Sequence, residues 1–123
     1  MMMELGQGLE SGHKTILLVD DEEMVVEVGR RLLEKLGYQV LTASTGNDAL
    51  EIYKNKRSKI ELVIMDMVMP EMGGSQLFDQ LKAINPSVRA LLSSGYNIDG
   101  QATEILNRGC SGFIQKPFTL NPL

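Results

Sequence analysis

Ile16-Leu17-Leu18-Val19-Asp20-Asp21, ILLVDD, is a short, unbroken apolar run that stops abruptly in two acids. A run of this length without alternation is the pattern of a strand buried on both faces, as inside a parallel sheet. The pattern recurs downstream. Leu62-Val63-Ile64-Met65 again ends in an acid, Asp66. Residues 88–92 read as a fourth strand before a Ser93-Ser94-Gly95 loop, and Gly112-Phe113-Ile114 as a short fifth before Lys116-Pro117. Residues 38–43 supply the second strand.

Between these runs the apolar period changes from strand to helix. Val25, Gly29, Leu32, Leu33 and Leu36 recur at helical spacing, and Gly37 follows as a C-terminal stop. Thr45 and Asp48 form a capping box with Asp in place of Glu, ahead of Ala49, Ile52 and Tyr53. Pro70 and Gly73-Gly74 mark a loop before a third helix through Leu77, Phe78, Leu81 and Ile84, closed by Asn85-Pro86. Ala102, Ile105 and Leu106 make a short fourth, ended by Gly109. Four β-α repeats and a final strand predict an α/β fold, a doubly wound five-stranded parallel sheet of flavodoxin-like order 2-1-3-4-5. In that order ligands bind beyond the carboxyl ends of strands one and three.

Composition narrows the function classes. The 123 residues carry 12 Lys and Arg against 16 Asp and Glu, a net charge of −4, which disfavours direct nucleic acid binding. One cysteine, Cys110, excludes an internal disulfide and all-Cys metal sites, and one histidine, His13, excludes two-His zinc motifs. No apolar run reaches membrane-spanning length and no signal peptide is evident, so a cytoplasmic domain with no membrane contact by this segment is expected. Residues 1–13 read as a flexible tail or linker before a domain over 14–123. Gly6-Gln7-Gly8 precedes a strand instead of following one, so it is not a dinucleotide loop.

Four strands end in groups able to do chemistry: Asp20-Asp21, Asp66, Ser94 and Lys116. In a parallel sheet all lie on one rim. Three converging carboxylates must retain a proton or bind a cation, and hard oxygen donors select Mg2+ or Ca2+ over zinc. A hydroxyl and an ammonium beside them suit phosphate oxygens. Together they are equipment for an aspartyl-phosphate intermediate. Each group has a plainer reading: Asp20-Asp21 as helix cap, Ser94 as turn residue, Asp66 and Lys116 as solvated charges, Phe113 as core. Met65, Met67, Met69 and Met72 read as strand and loop packing, and Cys110 as a small apolar filler.

LLVDDE (17–22), VIMDMVMPEMGG (63–74), LLSSGY (91–96) and GFIQKPF (112–118) resemble, in order and spacing, the motifs of bacterial two-component response regulator receiver domains. The wording is most similar to receivers of hybrid sensor histidine kinases. The resemblance implies that Asp66 accepts a phosphoryl group from a kinase phosphohistidine. It implies Mg2+ held by Asp20, Asp21, Asp66 and the carbonyl of Val68. It further implies that Ser94 and Lys116 contact the phosphoryl group, that Ser94 and Phe113 form the switch pair, and that Lys116-Pro117 is a cis peptide. The implied partner is a histidine kinase or histidine phosphotransfer domain, with a homodimer possible in the family. Such a domain catalyses its own modification without turning over a substrate. Val68 and Tyr96 occupy positions that flank the attacking water, which implies slow self-dephosphorylation. Only four residues follow Thr119, so a fifth helix is expected to be truncated, leaving lower stability and an apolar patch. The competing readings are a receiver-like binding module that is never phosphorylated, a haloacid-dehalogenase-like phosphatase, whose second Asp is replaced by Glu22, and a flavodoxin.

Overall fold

The computed structural model describes residues 14–94 and 100–115, with backbone alone for 100–102 and 115. The elements run β1 (Thr15–Val19), α1 (Glu23–Lys35), β2 (Gln39–Ala43), α2 (Gly46–Lys56), β3 (Ile60–Asp66), α3 (Gly74–Ile84), β4 (Ala90–Ser94), α4 (Gly100–Asn107) and β5 (Gly112–Gln115). The strands form one sheet in the order β2-β1-β3-β4-β5, every neighbouring pair parallel. This is the expected topology.

Both faces of the sheet are covered, which explains the unbroken apolar runs. Leu17, Val19, Val63, Met65 and Leu92 face a core shared with α2, α3 and α4. Ile16, Leu18, Leu62, Ile64 and Leu91 face α1, where Leu33 and Tyr38 join them. Leu91 and Ile114 are buried, and the exposed large apolar residues among those described are Met24, Val28 and Val68. The expected bare patch is not found among the described residues of β4 and β5. No helix among the described residues is long and apolar enough to cross a membrane.

Element boundaries differ from those expected where hydrogen bonding decides them. Gly37 has φ 98° and donates to Glu34 O at 3.0 Å, while Tyr38 donates to Leu33 O at 3.1 Å. That is a Schellman closure of α1, and it holds Tyr38 out of β2. Val88 donates to Asn85 O at 2.9 Å and Ser87 to Asn85 Oδ1 at 3.1 Å, so the segment expected to open β4 is a turn. At the other end Ser93 and Ser94 continue β4 instead of starting a loop. Ser93 pairs with Asp66 and Ser94 with Gln115, and ladder bonding on both sides outweighs the turn preference of serine. Thr45 caps α2 as expected, its Oγ1 accepting from the Asp48 N–H at 3.0 Å.

Candidate functional site

The carboxyl ends of β1 and β3 lie side by side, with Val19 opposite Met65 in register, so the acids that follow or end them converge. Asp20, Asp21 and Asp66 each present one carboxylate oxygen, all within 4.8 Å of one another. Asp20 and Asp66 are buried, at 1% and 6% exposure, and Asp21 is exposed. The Asp20 N–H donates to Ala43 O at 3.1 Å, tying the end of β1 to the end of β2.

The helix-cap reading of these acids is half right. Asp20 Oδ1 accepts the N–H of Glu22 at 2.9 Å, and Glu22, the N-cap of α1, makes no cap bond with its own side chain. Asp20 thus steadies the first turn and still contributes to the cluster. Three like charges so close, two of them buried, repel in a low effective dielectric. The donor set is all hard oxygen, which fits a hard divalent cation such as Mg2+ and offers zinc none of its preferred nitrogen or sulfur ligands.

A groove of about 680 Å³ opens beside the cluster between α1 and α2, lined by Asp20, Asp21, Glu23, Asp48 and Glu51 among others. Arg30 also lines it, but its charge is committed to Glu27 at 2.6 Å and Glu34 at 2.8 Å. Those contacts hold the Glu27 carboxyl below its usual range, chiefly through the hydrogen bond from Arg30, and raise Arg30 in turn. The field over this rim is negative and favours the approach of cations.

The remaining predicted residues separate clearly. Ser94 ends β4 on the same rim, buried at 2% exposure. Phe113 is buried in β5 opposite Leu92 and belongs to the core that includes Met65 and Ile105, so its packing role is real. Val68 is 61% exposed, whereas Met67, Met69 and Met72 turn inward at 7–8%. Met65, buried completely, joins them in packing. Cys110 is buried with its Sγ 3.2 Å from Ala90 O, and burial pushes the thiol up, as a packing residue requires. Lys116, Pro117, Tyr96 and His13 lie outside the described residues.

Several contributors carried no legible signal. Gly74 lets α3 start against the end of β3: a Cβ there would lie 2.7 Å from Asp66 O. Its N–H donates to Met67 O at 2.9 Å, closing the loop between them. Arg108 bonds Asp79 at 3.0 Å and also Ser75, clasping α4 to α3, while Lys82 Nζ donates to Arg108 O at 2.6 Å. Spacing alone marks Gly73-Gly74 as a loop and leaves Arg108 an ordinary surface cation.

The family model for the response regulator receiver domain matches residues 16–123. Sensor kinase CckA of Brucella abortus (strain 2308) is 39% identical over 113 residues, covering 92% of this chain and 12% of CckA. The chain thus spans only about an eighth of that relative's length. Among solved structures, a response regulator receiver domain protein from Clostridium thermocellum superposes with a TM-score of 0.82 at 31% identity, over 86% of this chain and 84% of the other. The CheX-CheY-BeF3-Mg+2 complex from Borrelia burgdorferi superposes with a TM-score of 0.81 at 26% identity, over 86% of this chain and 80% of that one.

Proposed function

The chain belongs to the response regulator receiver domain family, and from that premise we propose that Asp66 is the residue through which it accepts a phosphoryl group in two-component signalling. The observation that carries this is the placement of Asp66 at the end of β3, within 4.8 Å of the Asp20 and Asp21 carboxylates. Of the three, Asp20 accepts the Glu22 N–H through Oδ1, and Asp21 is exposed beyond the end of β1. Asp66 ends the central strand, fixed between β1 and β4, with Ser93 and Ser94 alongside.

A carboxylate oxygen of Asp66 attacks phosphorus in line. The bond from phosphorus to the donor imidazole breaks, its electron pair stays on the imidazole nitrogen, and an acyl phosphate forms on Asp66. The carboxylates of Asp20, Asp21 and Asp66 with the carbonyl of Val68 would hold Mg2+, which supplies charge neutralisation for the meeting of two anions. The presence of Mg+2 in a complex of a structural neighbour supports the choice of cation by likeness. Ser94 donates its hydroxyl to a phosphoryl oxygen, and Lys116, next after Gln115 in the chain, pairs with another. Phe113, two residues before Gln115 on the neighbouring strand, responds to the shift of Ser94, and Lys116-Pro117 is cis in this reading. Val68 and Tyr96 hinder the attacking water and give a long-lived acyl phosphate. The receiver unit occupies 14–123, with 1–13 as its linker, on the cytoplasmic side of a signalling protein.

The donor is a histidine-bearing helix of a kinase or phosphotransfer domain. Met24 and Val28 stand one helical turn apart on α1, exposed at 81% and 47%, and Val68 lies exposed after Asp66. Apolar side chains bared on α1 and on the loop after Asp66 suit a transient helical partner.

Acetyl phosphate with Mg2+ and intact mass measurement test this. One phosphoryl group should add to the protein, and none should add to Asp66→Asn or in chelator. An Asp66→Asn protein that still gains the group would move the site elsewhere. No adduct on a wild-type chain that binds Mg2+ would favour a receiver-like module that works without phosphorylation.

A further inference from the structure

Both walls of the carboxylate cluster rest on one short segment, residues 43–46. On one side the Asp20 N–H bonds Ala43 O at 3.1 Å. On the other stands the loop of residues 67–73, which follows Asp66 and carries Val68. Gly74 N–H to Met67 O at 2.9 Å closes the base of that loop. Its tip is a three-residue turn, Met72 N–H to Pro70 O at 2.7 Å, with Glu71 at φ 68°. The Met67 N–H also bonds Ser93 O at 2.9 Å, anchoring the start of the loop to β4, but none of these bonds reaches the outer part of the loop from α2.

The outer part of the loop meets α2 through Met72. Its side chain lies on Gly46, the first residue of α2. A Cβ on Gly46 would sit 2.6 Å from Met72 Sδ and 3.0 Å from both its Cβ and its Cγ. The Met72 Cβ moves only with its backbone, so no change of rotamer clears all three contacts. Behind Met72, Gln80 Nε2 of α3 stands 4.0 Å from Sδ. Beneath it, Gly46 is held by the capped turn in which Thr45 Oγ1 accepts the Asp48 N–H at 3.0 Å. Interiors are packed densely enough to transmit such a contact.

We infer that the Gly46–Met72 contact is a spacer that sets the gap between Asp20-Asp21 and the loop carrying Val68, which makes Gly46 and Met72 positioning residues for cation binding. The inference rests on the cation reading of the previous subsection. Neither residue contributes a donor to the cluster. Gly46→Ala pushes the loop outward through the Met72 backbone. Met72→Ala lets it settle inward. The double variant restores part of the width, because the new methyl occupies space the thioether leaves.

Calorimetric titration of Mg2+ into the full chain tests it, with thermal midpoints measured beside it. Tyr53→Phe serves as a control, since it removes the 2.9 Å bond from Asn85 at the opposite end of α2. Gly46→Ala and Met72→Ala should each weaken Mg2+ about tenfold, the lower end for residues that orient ligands. The double variant should return to within about threefold of wild type, a coupling expected only of residues in contact. Tyr53→Phe should lower the midpoint and leave Mg2+ affinity alone. The spacer is overturned if folded Gly46→Ala or Met72→Ala binds Mg2+ like wild type, or if affinity tracks the midpoint in every variant including Tyr53→Phe. Should Gly46→Ala not fold, Met72→Ala and the double variant decide. Wild type that binds no Mg2+ would sink the cation reading instead. Metal-free amide shifts then judge the spacer: Val68 and Asp21 must both move in Met72→Ala, and a shift confined to α2 rejects it.

Discussion

Replacing Asp66 by Asn should stabilise the metal-free protein even though it abolishes phosphoryl transfer. The three carboxylate oxygens lie within 4.8 Å of one another, so the substitution removes two of three repulsive pairs. At 4.8 Å a pair of unit charges costs about 3.5 kcal/mol at an effective dielectric near 20 and about 0.9 kcal/mol in bulk water. The Asp66–Asp20 pair is buried and belongs toward the first figure; the Asp66–Asp21 pair reaches solvent and belongs toward the second. Asparagine keeps the shape and an acceptor oxygen, and relaxation of the charged cluster takes back part of the sum. The net gain should be about 1–3 kcal/mol, or roughly 4–12 °C in midpoint for a chain of this size. Circular dichroism melts in chelator measure it. Mg2+ should then shrink or reverse the order: a cation at a hundred times its dissociation constant adds about 2.7 kcal/mol to the protein that binds it. Wild type gains that increment and Asp66→Asn gains less. An Asp66→Asn midpoint below wild type in chelator would refute the repulsion argument. Equal shifts of both proteins by Mg2+ would refute the place of Asp66 among the ligands.

Arg108→Ala should release the last turn of α4, raising hydrogen exchange at Arg108-Gly109-Cys110 amides about 5- to 30-fold for a loss of about 1–2 kcal/mol, with α1 unchanged; equal acceleration everywhere would mean the clasp to Asp79 and Ser75 is not local. Cys110 should resist a thiol reagent until the chain unfolds, since burial keeps the thiol neutral, and rapid native-state labelling would contradict its packing. Its raised folded value also fixes a sign: the contribution is intact below the unfolded thiol value and is lost as pH rises from there toward the folded value, so Cys110→Ala should flatten the alkaline fall in midpoint. Glu71→Gly should raise the unfolding free energy from urea titration by about 0.5–1 kcal/mol, because the left-handed backbone at φ 68° costs a side chain about 1–2 kcal/mol and glycine's unfolded freedom returns part of that; a lower value would show that the Glu71 side chain contributes more than its strain costs.

What could be read from the chain beforehand was local by nature. A strand buried on both faces leaves an unbroken apolar run, and the run's end marks where the next side chain meets solvent or a ligand. Asp20, Asp21 and Asp66 were legible for that reason, and parallel topology then brings strand ends to one rim. The departures from local preference have a common cause too. Ser93 and Ser94 looked like a turn because serine's preference is local, while the ladders to Asp66 and Gln115 that overrule it are not. Residues 88–92 read as a strand, and 90–92 are one, but Asn85 holds Ser87 and Val88 in a turn, so β4 opens only at Ala90.

The same distinction explains why the cluster's dimensions were invisible while its membership was not. A carboxylate announces its chemistry by its residue type. Gly46 and Gly74 act by what they lack, and that has meaning only against the atoms that approach: Met72 Sδ at 2.6 Å in one case, Asp66 O at 2.7 Å in the other. In the sequence the first is the opening residue of an ordinary helix and the second half of an ordinary Gly-Gly loop. Both stand where an element's first turn meets the segment that carries the acids, and a methyl at either point must move backbone, since backbone or Cβ atoms are among what it meets. The chemistry of this rim is therefore written in its acids, but the spacing that chemistry needs is held by residues with no chemistry of their own. A variant that keeps every carboxylate and alters only Gly46 should change what the acids can bind.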